Sequence, residues 1–342
     1  MITAKEVAAK AGVAISTVGR VMADDPRISA QTKEKVRKVA DELGYVGNRA
    51  ARVMRGGSNN EIGLILPNVR NNFYTSISQA LSECADREGF RVSLSITGDS
   101  PIAESRHIRA CIDARSSGVI IVPTETPSKE SIRLLRNVPH VQLLRFHPSL
   151  GDICFEIGDK AALAAATVHL LSLGHKHLAY IGGTGRLSTG RERLAGVKQA
   201  IADAGGGVVL DEYLGPPRAE LGKSSVAAIF KKTPRATAIL TGSVDVTLGA
   251  FEALMGRRVS IPSDISLVGF GNPDWYKWLG PGLTTVEPPI ESLAHSCGLW
   301  FLDQLRRDVI GATSHHRSVS QSALIVRGST ARIDAPKGKK SC

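Results

Sequence analysis

At 342 residues and 36.4 kDa, the chain is too long for one small domain and long enough for two or three with cores of their own. Its net charge of +11 points to a polyanionic partner, and eleven basic against six acidic residues crowd into positions 1–57, a net +5 there. Five scattered cysteines (Cys84, Cys111, Cys154, Cys297, Cys342) without a CxxC pair argue against a disulfide framework or a zinc site, and the absence of an apolar leader or of a run of about 18 apolar residues argues against secretion and membrane spanning, so the cytoplasm is the expected setting.

The first elements are short helices. Thr3 and Glu6 have capping-box spacing before the apolar stripe Ala4, Val7, Ala8 and Ala11, and Gly12 breaks that helix. A second helix is expected at about 15 to 23 with Val18, Val21 and Met22 facing inward. After the turn Asp24-Asp25-Pro26, a third starts at the cap Ser29 and stops at Gly44. Helix, glycine-containing turn, helix and a longer third helix is the helix-turn-helix pattern of major-groove DNA binding.

From residue 61 the rhythm changes to apolar strands alternating with amphipathic helices: EIGLIL, FRVSLSI, GVIIVP and VQLLRF, each followed by or preceded by a helix. After about residue 157 it restarts, with HLAYIG, GVVLDEY, TAIL and ISLVGF between helices at 159–173, 189–204, 219–231 and 245–255. Repeated βαβ units mean parallel sheets. Two such lobes in series make a cleft at the carboxyl ends of their strands, where ligands bind in open α/β sheets. The tail 334–342, with Lys337, Lys339 and Lys340, is expected to be disordered.

The stretch from AKEVAAKAGVAISTVGRVM to GYVGNRAARVMRGG resembles the LacI (lac repressor and purine repressor) family. The resemblance continues through IGLILPNVRNNFY, LLSLGHKHLAYIGG, GRERLAGVKQAI, ISLVGFGNPDW and LTTVEPP, so it covers about residues 3 to 330. It implies an all-α headpiece with a hinge helix at 1–57 and a two-lobed α/β body like periplasmic binding proteins. One lobe is expected at 60–157 and 287–318, the other at 158–286 and 319–333. Function then follows as sequence-specific transcriptional regulation, with double-stranded DNA carrying a pseudo-palindromic operator, a small effector and a second copy of the chain as partners, and with no cofactor or metal.

In the headpiece, Ile15, Ser16 and Arg20 lie where an inserted helix presents side chains to base edges. Arg20 suits guanine, with a phosphate contact as the alternative. Thr3, Thr17, Asn48, Arg49, Arg52 and Arg55 are expected to anchor phosphates, and Met54 stands where the family wedges a leucine into a minor-groove base step. Ala14 and Gly19 replace two serines usual in relatives, and Gly47 replaces a proline, each loosening a feature by about 1 kcal/mol or removing a stiffening ring.

In the body, the resemblance carries effector contacts onto Phe73, Arg193, Ser243 and Trp275. Core packing is the alternative for the aromatics. The Asn-Asp pair common in relatives is here Ser243-Val244, and the Asp of their GYD or GFD element is Gly271, with Asp245 and Asp274 displaced nearby. Losing acids while keeping Arg193, Arg145 and Lys160 points to a sugar derivative that is anionic or less hydroxylated. An enzyme is the first rival, but Gly183-Thr184-Gly185 is followed by Ser188 where a dinucleotide fingerprint wants glycine, and no GxxxxGK[ST], GxSxG or HExxH occurs. A small-molecule-binding protein with an incidental basic N-terminus is the second.

Overall fold

The computed structural model describes residues 2–45, 60–70, 72–307 and 315–333. The expected hinge helix, with Gly47, Asn48, Arg49, Arg52, Met54 and Arg55, lies outside them, as do the tail 334–342 and Cys342. The chain divides into two compact units, residues 1–60 with 114–116 and residues 61–113 with 117–342.

In the first unit, α1 (Ala4–Ala11), α2 (Ile15–Met22) and α3 (Ala30–Leu43) enclose a core of Val7, Ala8, Ala11, Val18, Val21, Val36 and Ala40. Glu6 starts α1 by accepting the Thr3 N–H at 2.7 Å, which also holds its carboxyl below the usual range. Gly12 ends the helix at φ +64, a left-handed turn that a side chain disfavours. Ser29 caps α3 by accepting the Thr32 N–H, and Gly44 closes it. Ala14 at the start of α2 offers no side-chain cap, so that helix leans on the burial of Val18 and Val21, each contributing about 1.5–3 kcal/mol.

The second unit holds two six-stranded sheets. The first contains β1 (Glu61–Leu66), β2 (Arg91–Ile96), β3 (Gly118–Ile121), β4 (His140–Leu143), β5 (Asp152–Ile157) and β11 (His315–Ser320), in the order β11-β5-β4-β3-β1-β2, all parallel. The second contains β6 (His177–Gly182), β7 (Val209–Leu214), β8 (Ala238–Thr241), β9 (Ser266–Phe270), β10 (Thr284–Glu287) and β12 (Ala323–Ile325), in the order β12-β10-β9-β8-β6-β7, with only β12 antiparallel. Central strands such as β3 and β9 are buried along their whole length, which is why they read as unbroken apolar runs.

Helices α4 (Asn72–Arg87), α5 (Pro101–Asp113), α6 (Lys129–Leu135) and α11 (Ile290–Arg307) cover the first sheet, and α7 (Asp159–Ser172), α8 (Ser188–Asp203), α9 (Ala219–Ile229) and α10 (Val244–Gly256) the second. Helices α9 and α10 approach so closely that a Cβ on Gly249 would sit 1.9 Å from the Ala219 carbonyl oxygen. The chain passes between the sheets after β5, after β10 and after β11. Strand β11 keeps it in the first sheet as far as Ser320, past the expected crossing at 318, because the Ser320 carbonyl still accepts the Gly158 N–H at 2.9 Å.

Two sequence expectations need correction here. DICFEI forms β5, which the βαβ rhythm did not include, because it follows β4 through only a short 3-10 turn, Pro148–Leu150. The VQLLRF strand stops at Leu143, since Leu144 adopts φ +66. A leucine in that region is strained by about 1–3 kcal/mol, and such strain persists where a site is being aimed. Its consequence is that Arg145 and Phe146 leave the sheet.

Candidate DNA interface and ligand cleft

On α2 the two sides differ sharply. Val18 and Val21 are fully buried, whereas Ile15 is 53% exposed and Ser16 and Arg20 are exposed with it. Thr17 is half-buried beside them. The Arg20 guanidinium makes no hydrogen bond or ion pair among the described residues, unlike Arg27, bound to Asp25, and Arg37, bound to Asp24. An exposed apolar side chain, a hydroxyl and an uncommitted fork on one helix face are the chemical set that reads base edges. Thr3 is exposed, with its hydroxyl donating to Glu6 Oε2 at 2.9 Å. A phosphate contact there has to compete with that bond.

In the body, a cavity enclosing about 740 Å³, its open mouth included, lies at the carboxyl ends of both sets of strands. The first sheet's side contributes Asn68, Phe73, Tyr74, Asp99, Leu144 and Arg145; the second contributes Thr189, Arg193, Ser243, Asp245 and Phe270 among others. The left-handed Leu144 delivers Arg145, which is only 7% exposed. Its Nη1 donates to Asp99 Oδ1 at 2.5 Å and to the Pro123 carbonyl at 3.0 Å. Opposite it, Arg193 donates through Nε to Asp159 Oδ1 at 2.8 Å and through Nη1 to the Gly242 carbonyl at 2.6 Å, with its guanidinium 3.9 Å from the Phe270 ring centre. Burial pushes the Asp159 carboxyl up, and the Arg193 charge pulls it back.

Each side of the cleft therefore presents an arginine already paired with a carboxylate. A guanidinium has five N–H donors, and on both arginines the remaining ones meet no acceptor among the described residues. With Asp245 also in the lining, two aspartates and two arginines face the cavity, and Asp159 stands behind Arg193. The expectation of an anionic effector drawn from Arg193 and Arg145 therefore meets two aspartates that already pair with them. Lys160 adds nothing to it, being exposed and outside the lining.

Phe73, Arg193 and Ser243 come together in this cavity; Trp275 does not. It sits in the 3-10 turn Asp274–Lys277, packed edge-to-face on Tyr276 with ring centres 4.5 Å apart and against the core of the second sheet. Tyr276 is anchored by its hydroxyl to the Phe270 carbonyl, which holds the turn with Trp275 against the core. Asp274 faces solvent in an ion pair with Lys277 and does not replace a missing acid, whereas Asp245 does reach the cavity. Gly271 has φ +81, and a Cβ on it would lie 2.4 Å from Val244 Cγ2. The two departures from the family pattern are thus in contact. Asp99, Tyr74 and Asp159 are cleft residues that sequence reasoning passed over. The histidines sit elsewhere: His175 is buried between Thr237, Ser266 and Ala331, and His177 bonds Asp211.

Comparison with known proteins agrees with this geometry. Residues 3–48 match "Bacterial regulatory proteins, lacI family" and residues 167–330 match "Periplasmic binding protein-like domain". The chain is 31% identical to the HTH-type transcriptional regulator DegA of Bacillus subtilis over 299 residues, 85% of this chain and 88% of the relative. It is 27% identical to the HTH-type transcriptional repressor CytR of Escherichia coli over 332 residues, 96% of each. In fold it is similar to the lac repressor dimer bound to operator and the anti-inducer ONPF, with a TM-score of 0.83 at 24% identity over 96% of this chain and 99% of that one. No helix among the described residues is long and apolar enough to cross a membrane. With an exposed face on α2 and a two-sheet body in one chain, and relatives that regulate transcription over nearly its whole length, the protein is a DNA-binding transcriptional regulator, not an enzyme, and belongs to the lacI family of bacterial regulatory proteins.

Proposed function

We propose that the protein is a cytoplasmic repressor whose operator affinity is set by a neutral, hydroxyl-bearing sugar or sugar derivative held between the lobes. The observation that carries this is the pair of buried arginines, one from each side of the cavity, each neutralised by an aspartate yet with donors to spare. A hydroxyl accepts from a guanidinium and donates to a carboxylate, so a polyol satisfies both members of such a pair. Phe73 and Tyr74 supply aromatic surface for the apolar face of a ring. In this reading the lobes are 60–157 with 288–320 and 158–287 with 321–333, the expected crossings at 287 and 318 moved to the ends of β10 and β11. Phosphate anchoring by Asn48, Arg49, Arg52 and Arg55 and the minor-groove wedge at Met54 belong to this reading on the strength of the sequence.

A thermal-shift panel tests the effector class. Neutral pyranoses and pentoses should include a ligand that stabilises the body, by about 2.7 kcal/mol at a hundredfold excess over Kd, and that changes affinity for a DNA site selected with the purified protein. Stabilisation by sugar acids or phosphates with no neutral sugar active would overturn the assignment.

We also propose a homodimer. Edge strand β2 exposes Leu94 (44%) and Ile96 (39%) beside Ile102 (79%), and the second lobe exposes Trp278 (75%) and Met255 (44%). An apolar edge is an association liability unless a partner covers it, and a two-fold operator needs two headpieces. Leu94→Lys combined with Trp278→Lys should shift the sedimentation coefficient from dimer to monomer. A dimer that survives both places the interface elsewhere.

A further inference from the structure

The first turn of α5 buries a carboxylate, Glu104, which is 0% exposed. Burying a polar group is unfavourable unless hydrogen bonds hold it. Its Oε2 accepts the Thr124 N–H at 2.7 Å. Its Oε1 and the Thr124 hydroxyl are both buried without a hydrogen-bond partner among the described residues. An arrangement this unfavourable is informative about what it holds.

What it holds is the loop 122–127 after β3. On one side of Thr124, the Pro123 carbonyl accepts from Arg145 Nη1 at 3.0 Å. On the other, Glu125 crosses the cleft: its Oε1 accepts from Thr184 Oγ1 at 3.0 Å and lies 3.8 Å from Arg186 Nε. A second crossing follows directly on Arg145, where the Phe146 N–H donates to Ser188 Oγ at 2.9 Å. Residues that line the cavity and residues that bridge the lobes are thus adjacent in the chain at Arg145-Phe146 and, on the other lobe, at Gly183-Thr184 and Leu187-Ser188.

We infer that Glu104 is a positioning residue that seats the 122–127 loop as an interlobe latch, with Glu125 as its bolt and Thr184 as its catch. This rests on the proposed control of the protein by a ligand in the cleft. The ion pair to Arg186 is largely solvated and contributes little; the charge-assisted bond to Thr184 is the stronger element. The latch is weak by construction, and a bistable closure has to be weak for ligand contacts at Arg145 to bias it.

The test needs no effector. Full-length protein carrying spin labels at Arg136 and Ala202, exposed positions one on each lobe and apart from the apolar surface proposed for the dimer, gives an interlobe distance distribution by electron–electron resonance. Glu125→Ala and Thr184→Val should each broaden that distribution and move it to longer distance. Glu104→Leu should do the same and speed amide exchange at Thr124, while Glu104→Gln, which keeps an acceptor for that N–H, should stay close to wild type. Unchanged distributions in Glu125→Ala and Thr184→Val would overturn the latch, and a Glu104→Gln as open as Glu104→Leu would overturn the role of Glu104. Since Glu125 and Thr184 lie at the mouth of the cleft, outside the core, their variants keep the test valid if Glu104→Leu does not fold. A failed sugar panel leaves this result standing, and a failed latch leaves the panel standing.

Discussion

Asp159→Ala is expected to destabilise the body by about 3–5 kcal/mol, the usual consequence of removing one partner of a buried ion pair. The Arg193 Nε donor then points at a methyl group inside a site where the residue is only 9% exposed. With about 2–4 °C of Tm per kcal/mol in a domain of about 150–250 residues, the body transition should fall by about 6–20 °C. The reciprocal change is expected to be milder and pH-dependent. In Arg193→Met the carboxyl that burial already pushes up loses the charge that pulls it down, so it takes a proton instead. An acid whose folded pKa lies above its unfolded one contributes stability that is complete below the unfolded pKa and is lost as pH rises through the folded one. Arg193→Met should therefore approach wild-type stability near pH 4 and fall behind toward pH 8, while Asp159→Ala shows no such slope. Calorimetric scans at both pH values decide it: parallel deficits in the two variants would show that the pair acts only through packing.

Arg20→Ala should lose about 1–3 kcal/mol of discrimination, roughly 5- to 150-fold, at one base pair of the selected site, with the headpiece as stable as before. The second half of that expectation follows from the guanidinium's lack of bonds within the headpiece and from its exposure, whereas Val18 two residues earlier carries core burial. Binding to a set of single-base variants of the site at two salt concentrations separates the alternatives. A contact to a guanine edge flattens the profile at one position. A phosphate contact lowers affinity across all variants and reduces the salt slope by about 1, and that pattern would remove Arg20 from the base-reading set.

The headpiece was legible because its signals are local. Glu6 does reach back to Thr3, Ser29 does cap α3, and Gly12 and Gly44 do take left-handed φ; each is settled within four residues of itself. The alternation of strand and helix was legible for the same reason. Partnerships across the fold were not. Asp159 reads in sequence as an ordinary acid in a helix's first turn, and nothing in GDKAAL shows that Arg193, on the next helix, lies against it. Arg145 and Asp99 are separated by two strands and a helix pair. Trp275 was carried onto the cleft by the family resemblance alone, and sequence does not show that the 3-10 turn Asp274–Lys277 packs it on Tyr276 against the core of the second sheet. Leu144 shows the limit most plainly: VQLLRF is apolar straight through the point where the backbone leaves the sheet.

The contact between Gly271 and Val244 bears on how this cleft can change over generations. With position 271 in left-handed backbone and a Val244 methyl occupying the space beside it, an aspartate introduced there alone meets both obstacles at once. Val244 has to be replaced first, and the intermediate then carries a void where the methyl stood. Placing an acid at position 271 is therefore an ordered change through a loosened intermediate, whereas Asp99 and Arg145, across the cleft, already line it.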